Sequence, residues 1–251
     1  MKRLALIFTL AIIASFALIP AAYATQTNTT HLNNIPITDT LKAGTFEWDL
    51  VGSYNGDIGR GRHVSTRIFG ALLDNLEFGM AWSVSRPAGP VELAAKYTVL
   101  DQAKGFPVSV ALGAEGITGT FDRTKARPTY YAVVGIQDIH IIGDWDWYVG
   151  FANNPMGSLP APKLGTEDNS IFGGFKYIIN DDFQVNADYK GYDGNSESVI
   201  SGGLNYYWVN HIGLQGWVER DSAKKENVFV LQLAVRGDLK NGLKEVVSDP
   251  D

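Results

Sequence analysis

Phe183-Gln184-Val185-Asn186-Ala187-Asp188-Tyr189-Lys190-Gly191-Tyr192 decides the fold. Neighbouring side chains on a strand point to opposite faces. One face of this stretch therefore carries Phe183, Val185, Ala187 and Tyr189, and the other carries Gln184, Asn186, Asp188 and Lys190. The same two-faced alternation returns about a dozen times along the chain. A soluble antiparallel sheet shows such segments once or twice. A whole chain of them, behind an export signal, predicts a barrel with lipid outside and a hydrophilic interior.

The export signal is the first segment. Lys2 and Arg3 precede the apolar run Leu4–Pro20, and Ala22-Tyr23-Ala24 fits the small-x-small cleavage rule. Cleavage after Ala24 removes two cations, so the formal net charge falls from −6 to −8. An acidic mature chain argues against nucleic-acid binding. The sequence holds no cysteine, which excludes disulfides, thiolate metal sites, cysteine nucleophiles and a lipoprotein anchor. Beyond the signal no apolar run is long enough for a membrane helix. Entry into a membrane then requires a closed barrel, since unpaired backbone groups cannot face lipid.

Four regions follow: a signal peptide over 1–24, a flexible N-terminal segment over 25–43, a barrel over 44–238 and a charged periplasmic tail over 239–251. The alternation predicts strands at 45–54, 63–72, 76–85, 91–100, 107–116, 129–140, 145–153, 169–179, 183–192, 198–208, 212–220 and 227–238. In the sixth, the apolar side starts at Tyr130, Val134 and Ile136 and slips to Ile139 and Ile141, which predicts a bulge. The fold class is thus all-β: a closed antiparallel transmembrane barrel of about twelve strands. Links after strands two, six, eight and ten are very short, while those after one, five, seven, nine and eleven are longer and polar. Bacterial outer-membrane barrels have short periplasmic turns and longer outside loops, so both chain ends belong in the periplasm. Arg86–Pro90 is short for an outside loop.

Aromatic residues gather near the strand ends on the apolar face. Trp48, Trp145, Trp147, Tyr177, Tyr206 and Trp208 fall at the periplasmic side, and Trp82 and Tyr189 at the other, as two interface belts. The rival arrangement, a soluble sandwich or lipocalin-like barrel, puts the same apolar set inside.

Short segments resemble a known family. Ile171-Phe172-Gly173-Gly174-Phe175-Lys176-Tyr177 followed by Val185-Asn186-Ala187-Asp188-Tyr189-Lys190-Gly191-Tyr192-Asp193-Gly194 is similar to the repeated hairpins of YjbH-like outer-membrane barrels. Leu72-Leu73-Asp74-Asn75-Leu76-Glu77-Phe78-Gly79 and Tyr130-Tyr131-Ala132-Val133-Val134 resemble other strands of that family. The resemblance implies an outer-membrane barrel loosely linked to exopolysaccharide production; this chain differs in its small size and in lacking a lipoprotein cysteine.

The predicted lumen face carries the acids Glu47, Asp49, Glu77, Glu92, Glu115, Asp146, Asp188 and Glu219 and the bases Arg67, Lys96, Lys176, Lys190 and Arg236. Such charges either pair into a filling that plugs the barrel or line a permeation path with a mild cation preference. Twelve strands fall between filled eight-stranded and open sixteen-stranded barrels, so strand number leaves both open. Asp49, Arg67, Glu92, Lys96, Glu115, Lys176, Asp188, Lys190 and Arg236 are the candidate pore-lining residues. His31, His63, His140 and His211 read as surface or turn residues, with no histidine beside a nucleophile and no ligand spacing for a metal. The oxygen-rich stretches Thr166–Asn169 and Asp193–Asn195 read as solvated loops, and the Gly-rich stretch Gly52–Gly61 as an outside loop. No enzyme activity and no cofactor is expected. The expected partners are outer-membrane lipids and, during insertion, the barrel-assembly machinery. The favoured function is a passive channel for small hydrophilic solutes. A closed accessory barrel for the envelope or exopolysaccharide export is the alternative, and a lipid-modifying enzyme is disfavoured by the histidine placement.

Overall fold

A computed structural model describes residues 31–33, 35–55, 62–84, 91–118, 128–140, 143–153, 169–192, 198–209, 212–222 and 225–238. The signal peptide, the tail 239–251, Arg86–Pro90, most of Gly52–Gly61, His211 and the loop stretches 166–168 and 193–195 lie outside these residues.

Twelve strands form among the described residues: β1 (Thr45–Asn55), β2 (Arg62–Leu73), β3 (Leu76–Ser83), β4 (Glu92–Leu100), β5 (Ser109–Thr118), β6 (Thr129–His140), β7 (Asp144–Ala152), β8 (Ser170–Ile178), β9 (Phe183–Tyr192), β10 (Ser198–Val209), β11 (Ile212–Asp221) and β12 (Glu226–Asp238). Each bound lies within two residues of its expected place. All neighbours pair antiparallel in sequence order, and β1 closes the sheet against β12 in an unbroken register from Thr45↔Asp238 to Asn55↔Val228. Closure removes both sheet edges, so every strand has two neighbours to satisfy its backbone.

The expected faces hold. Outward residues such as Ile171, Leu204, Trp208 and Leu231 are more than half exposed, whereas inward Gln184, Asn186 and Lys190 are fully buried. A water-soluble protein distributes these residue types the other way round. The soluble-sandwich arrangement is thereby excluded, and strands of 8–13 residues suit a tilted crossing of the hydrocarbon layer.

The bulge in β6 sits where the alternation slips. The register jumps between Ile136 and Ile139, and Asp138 takes a positive φ of 57°. Its backbone N–H turns inward and donates to Asp146 Oδ1 at 3.0 Å. Between β4 and β5 a short 3-10 turn, Gln102–Lys104, is capped by the Asp101 side chain and sends Gln102 Oε1 to accept the backbone N–H of Gln137.

The described part of the lead-in expected over 25–43 lies against the lumen wall. Leu32, Ile35, Ile37 and Leu41 are buried, as are Asn33 and Thr38. The alternating aliphatic residues have an apolar strip of the lumen wall to pack against, which polar composition alone did not reveal.

Candidate functional site: the barrel lumen

The lumen has two unlike walls. Across β12, β1 and β2 it is charged. Arg236 Nε donates to Glu47 Oε2 at 2.7 Å, where the two residues face each other in register. Asp49 faces Arg67 in the next pair, and Arg67 Nη2 donates to Gln232 Oε1 at 2.7 Å. Arg67 Nε lies 3.3 Å from Asp49 Oδ2 but forms no hydrogen bond. Asp49 Oδ1, Arg236 Nη2 and, further along the wall on β11 at the level of Val230, Trp217 Nε1 have no hydrogen-bond partner among the described residues. These buried donors and acceptors face the interior with bonding capacity left over. Trp217 packs on Val51 and Val230.

Across β5 to β8 the lumen wall carries a large apolar patch, with the Lys176–Asp146 ion pair beside it. Ala111, Tyr131, Val133, Tyr148, Ala152 and Phe172 form one cluster with Leu32, Ile35 and Ile37 of the N-terminal segment. Glycines make the wall thin enough for this. Phe172 lies over Gly150 and Tyr131 over Gly113, where a Cβ would collide with the ring. A Cβ on Gly135 would stand 2.7 Å from Thr38 Oγ1 and 2.9 Å from the Tyr148 ring, so only glycine admits the segment at that depth.

The segment itself folds back. Leu32 N–H donates to Ile35 O at 2.9 Å and His31 bridges to Pro36. Polar contacts then pin it around the lumen. Asn33 Nδ2 donates to Ser201 Oγ at 2.8 Å and Asn33 Oδ1 accepts from Gln215 Nε2 at 3.0 Å. Thr98 Oγ1 donates to Thr38 O at 2.8 Å, and Leu41 N–H donates to Glu77 Oε2 at 3.1 Å. At the short-turn end Thr40 Oγ1 and Ala43 N–H donate to Asp74. Asp39 accepts from Gln137 Nε2 and stands 4.0 Å from Lys176 Nζ, which in turn pairs with Asp146 at 2.6 Å. Burial pushes the Asp39 carboxyl above the usual carboxylate range, and the Lys176 ammonium opposes that push.

The magnitudes nearly cancel. Burying the four aliphatic side chains contributes about 6–12 kcal/mol, and the eight hydrogen bonds to the wall, that of His31 to Glu115 included, add about 1 kcal/mol each. Ordering residues 31–43 costs about 13–26 kcal/mol in backbone entropy. Docking of the segment is therefore close to balance.

The candidate pore-lining residues separate on this geometry. Asp49, Arg67 and Arg236 meet on the charged wall. Lys96 pairs with Glu77 at 3.7 Å, and Lys176 sits under the segment. Asp188 accepts from Ser201 Oγ at 2.6 Å, and the charges of Asp188, Glu219 and Glu115 act on Lys190. Glu92 shares their face but remains exposed at the start of β4, so it belongs to the rim. Glu115 meets His31 Nε2 at 3.1 Å. This corrects the reading of His31 as a surface or turn residue: it is mostly buried in the lumen and tilted against the Phe69 ring at 5.5 Å. His140 is exposed and pairs with Asp144 at 2.5 Å. The inward aromatics Tyr131, Tyr148, Phe172, Tyr207 and Trp217 were not foreseen as lumen residues. A usable signal existed: Tyr130-Tyr131-Ala132-Val133-Val134 is apolar on both faces, unlike the stretch at 183–192.

On the outside, aromatic residues pack against one another and against neighbouring strands. Trp145 stacks on Trp147 with centroids 5.9 Å apart and contacts Tyr177 at 4.5 Å; Trp147 contacts Phe175 at 5.2 Å. Tyr206 contacts Phe183 at 4.7 Å, and Trp48 Nε1 donates to Thr66 Oγ1 at 2.7 Å. Trp82, Tyr189 and Trp208 lie on the same outer face.

Solved structures match this architecture. A structure described as "KdgM porin" superposes with a TM-score of 0.57 at 12% identity, covering 75% of this chain and 98% of that one. A KdgM porin in complex with disordered oligogalacturonate gives a TM-score of 0.54 at 12% identity, over 75% of this chain and 98% of that one. The Acinetobacter baumannii outer membrane protein Omp33 gives 0.50 at 9% identity, over 76% and 97%. These likenesses establish a fold shared with outer-membrane barrels. No protein-family model and no curated protein matches the sequence.

Proposed function

We propose that this chain is a porin-like channel of the bacterial outer membrane, exported by a signal peptide cleaved after Ala24 and passing small hydrophilic solutes down their gradients. The observation that carries this reading is the inverted barrel: exposed aliphatic and aromatic residues surround a closed ring of twelve strands whose interior holds paired charges. The outer aromatics at both strand ends fit two lipid interfaces. The charged wall supplies the chemistry of passage. Asp49 Oδ1, Arg236 Nη2 and Trp217 Nε1 offer hydrogen bonds to hydroxyl or carboxylate groups moving past. The shared fold with porins, one of them solved with an oligogalacturonate, supports a hydrophilic oligomer or smaller polar molecule as the solute class.

Purified mature protein in planar bilayers tests this. Discrete conductance is expected, with selectivity that moves when Glu115→Gln and Asp188→Asn neutralise lumen acids. Selectivity unmoved by both substitutions in an open pore would remove these residues from the path.

A second reading has its own support. The packed segment of residues 31–43 and the hairpin resemblance to YjbH-like barrels favour a closed accessory barrel for envelope or exopolysaccharide export. Well-folded protein that never conducts, with or without that segment, would decide for it. The histidines His31 and His140 are accounted for as carboxylate partners on either reading, so neither invokes enzyme chemistry.

A further inference from the structure

We infer that residues 31–43 are a built-in plug: the segment closes the chain's own channel when docked and opens it by leaving the apolar wall. This deepens the channel reading and rests on it. Three features point the same way. The segment enters from the short-turn end, where Ala43 and Thr40 are tied to Asp74, and reaches contacts on opposite sides of the ring. Thr38 accepts from β4, Leu32 and Ile37 pack on β5 to β8, and Asn33 bonds to β10 and β11. A strand of chain spanning the lumen in this way occupies the path a solute would take.

The wall is shaped for the segment and not merely covered by it. Gly135 admits Thr38, and a Cβ on Gly174 would stand 2.7 Å from Leu32 Cδ1. Yet the attachment is made of aliphatic contacts and hydrogen bonds, with Asp39 4.0 Å from Lys176 and His31 3.1 Å from Glu115. Lys176 keeps a partner when the segment departs, because Asp146 holds it at 2.6 Å. Likewise Ser201 retains Asp188, and Glu77 retains Lys96. Lys176, Ser201 and Glu77 each have a second partner in place when the plug releases them, whereas Gln215 and Thr98 give up their bonds to it. Lys176 and Glu77 thus keep their ion pairs in an undocked lumen, so departure strands neither charge and the segment can act as a two-state device.

The chain has no native cysteine, so a single engineered pair can lock the plug. Asn33→Cys with Ser201→Cys places thiols where Asn33 Nδ2 and Ser201 Oγ are 2.8 Å apart. Conductance of the oxidised pair in planar bilayers should fall below that of the unaltered chain and return on reduction. Deletion of residues 25–43, with the signal kept, should raise the open fraction about tenfold if the docked form predominates by that ratio. Ile35→Asp with Ile37→Asp should do the same without shortening the chain, and heat-modifiable gel migration checks that each barrel is folded. Equal conductance of the deleted, substituted and unaltered folded chains would overturn the plug while leaving the channel intact. Conductance of the oxidised pair unchanged despite complete cross-linking would also overturn it. Silence of every folded variant, with the cross-link formed, would overturn the channel and the plug's gating role together.

Discussion

The wall of β5 to β8 and the wall of β12, β1 and β2 enclose one lumen but are stabilised in different ways. The first is a hydrophobic core in miniature, in which Tyr131, Val133, Tyr148 and Phe172 are closed over by Leu32, Ile35 and Ile37. The second is a charged face in which Glu47 and Arg236, and Asp49 and Arg67, stand opposite one another with polar atoms to spare. The difference teaches that the interior of a membrane barrel need not be uniformly hydrophilic. An apolar strip is stable inside where a segment of the same chain covers it, as over β5 to β8, or where side chains close on one another, as Val51, Trp217 and Val230 do; the buried charges stand paired.

The sharpest way to break the comparison is at the base of the covered wall. Lys176→Met leaves Asp146 and Asp39 buried without their cation. Loss of one partner from a buried pair costs about 3–5 kcal/mol, so the urea midpoint of folding into detergent micelles should fall markedly. Arg236→Met on the open wall should cost less, because the Arg236 side chain is 15% exposed where Lys176 is 4%, and it abandons one paired carboxylate, Glu47, in place of two. Equal losses would show that the two walls are equally dry, and the contrast would fail.

Next comes the cover itself. Ile37→Ala removes buried methylene and methyl groups from the cluster and should cost about 2–4 kcal/mol of docking. Because the segment can leave, that loss should appear as proteolysis of residues 31–43 in the intact barrel and not as barrel unfolding. A drop in the barrel's own midpoint by the same amount would mean that segment and wall fold as one unit.

Almost the whole architecture was legible in the sequence, since membrane solvent enforces alternation along every strand. Gln184, Asn186, Asp188 and Lys190 could point nowhere but inward. Even the β6 bulge was visible, because the apolar side of the sequence changes phase after Ile136, where the register jumps before Ile139. The site was less legible. Leu32, Ile35 and Ile37 are too few and too close to a polar stretch to read as a packed element, and their partners lie some 70 to 140 positions away in β5 to β8. Sequence alternation reports the face a residue takes, not which distant segment comes to meet it. For the same reason Asp49 and Arg67 could be assigned to the lumen, whereas their pairing followed only from the β1–β2 register.

Smaller effects are expected on the open wall. Arg236→Gln and Asp49→Asn change one charge each on the charged wall while keeping a polar side chain, so the barrel should fold and the cation-to-anion permeability ratio should shift about two- to fivefold, in opposite directions, as one screened charge at close range allows. The expected signs are fixed: loss of Arg236 favours cations and loss of Asp49 favours anions. The counterpart on the covered wall is Lys176→Gln, whose charge the docked segment shields from the path. Selectivity moved more by Lys176→Gln than by Arg236→Gln would place the permeation route along β5 to β8.

The smallest effect tests whether either wall depends on the surface outside it. Trp147 stands behind the covered wall and is packed between Trp145 and Phe175 on the outer face. Aromatic pairs of this kind contribute about 0.5–1.5 kcal/mol beyond their buried area, so Trp147→Ala should lower folding stability in lipid vesicles by about 1–2 kcal/mol. It touches no lumen group, because its neighbours Asp146 and Tyr148 point the other way. Conductance and plug cross-linking should therefore be unchanged. A change in either would mean that the strand transmits outer packing to Asp146, and through Lys176 to the segment; the two faces of β7 would then have to be treated as one coupled element.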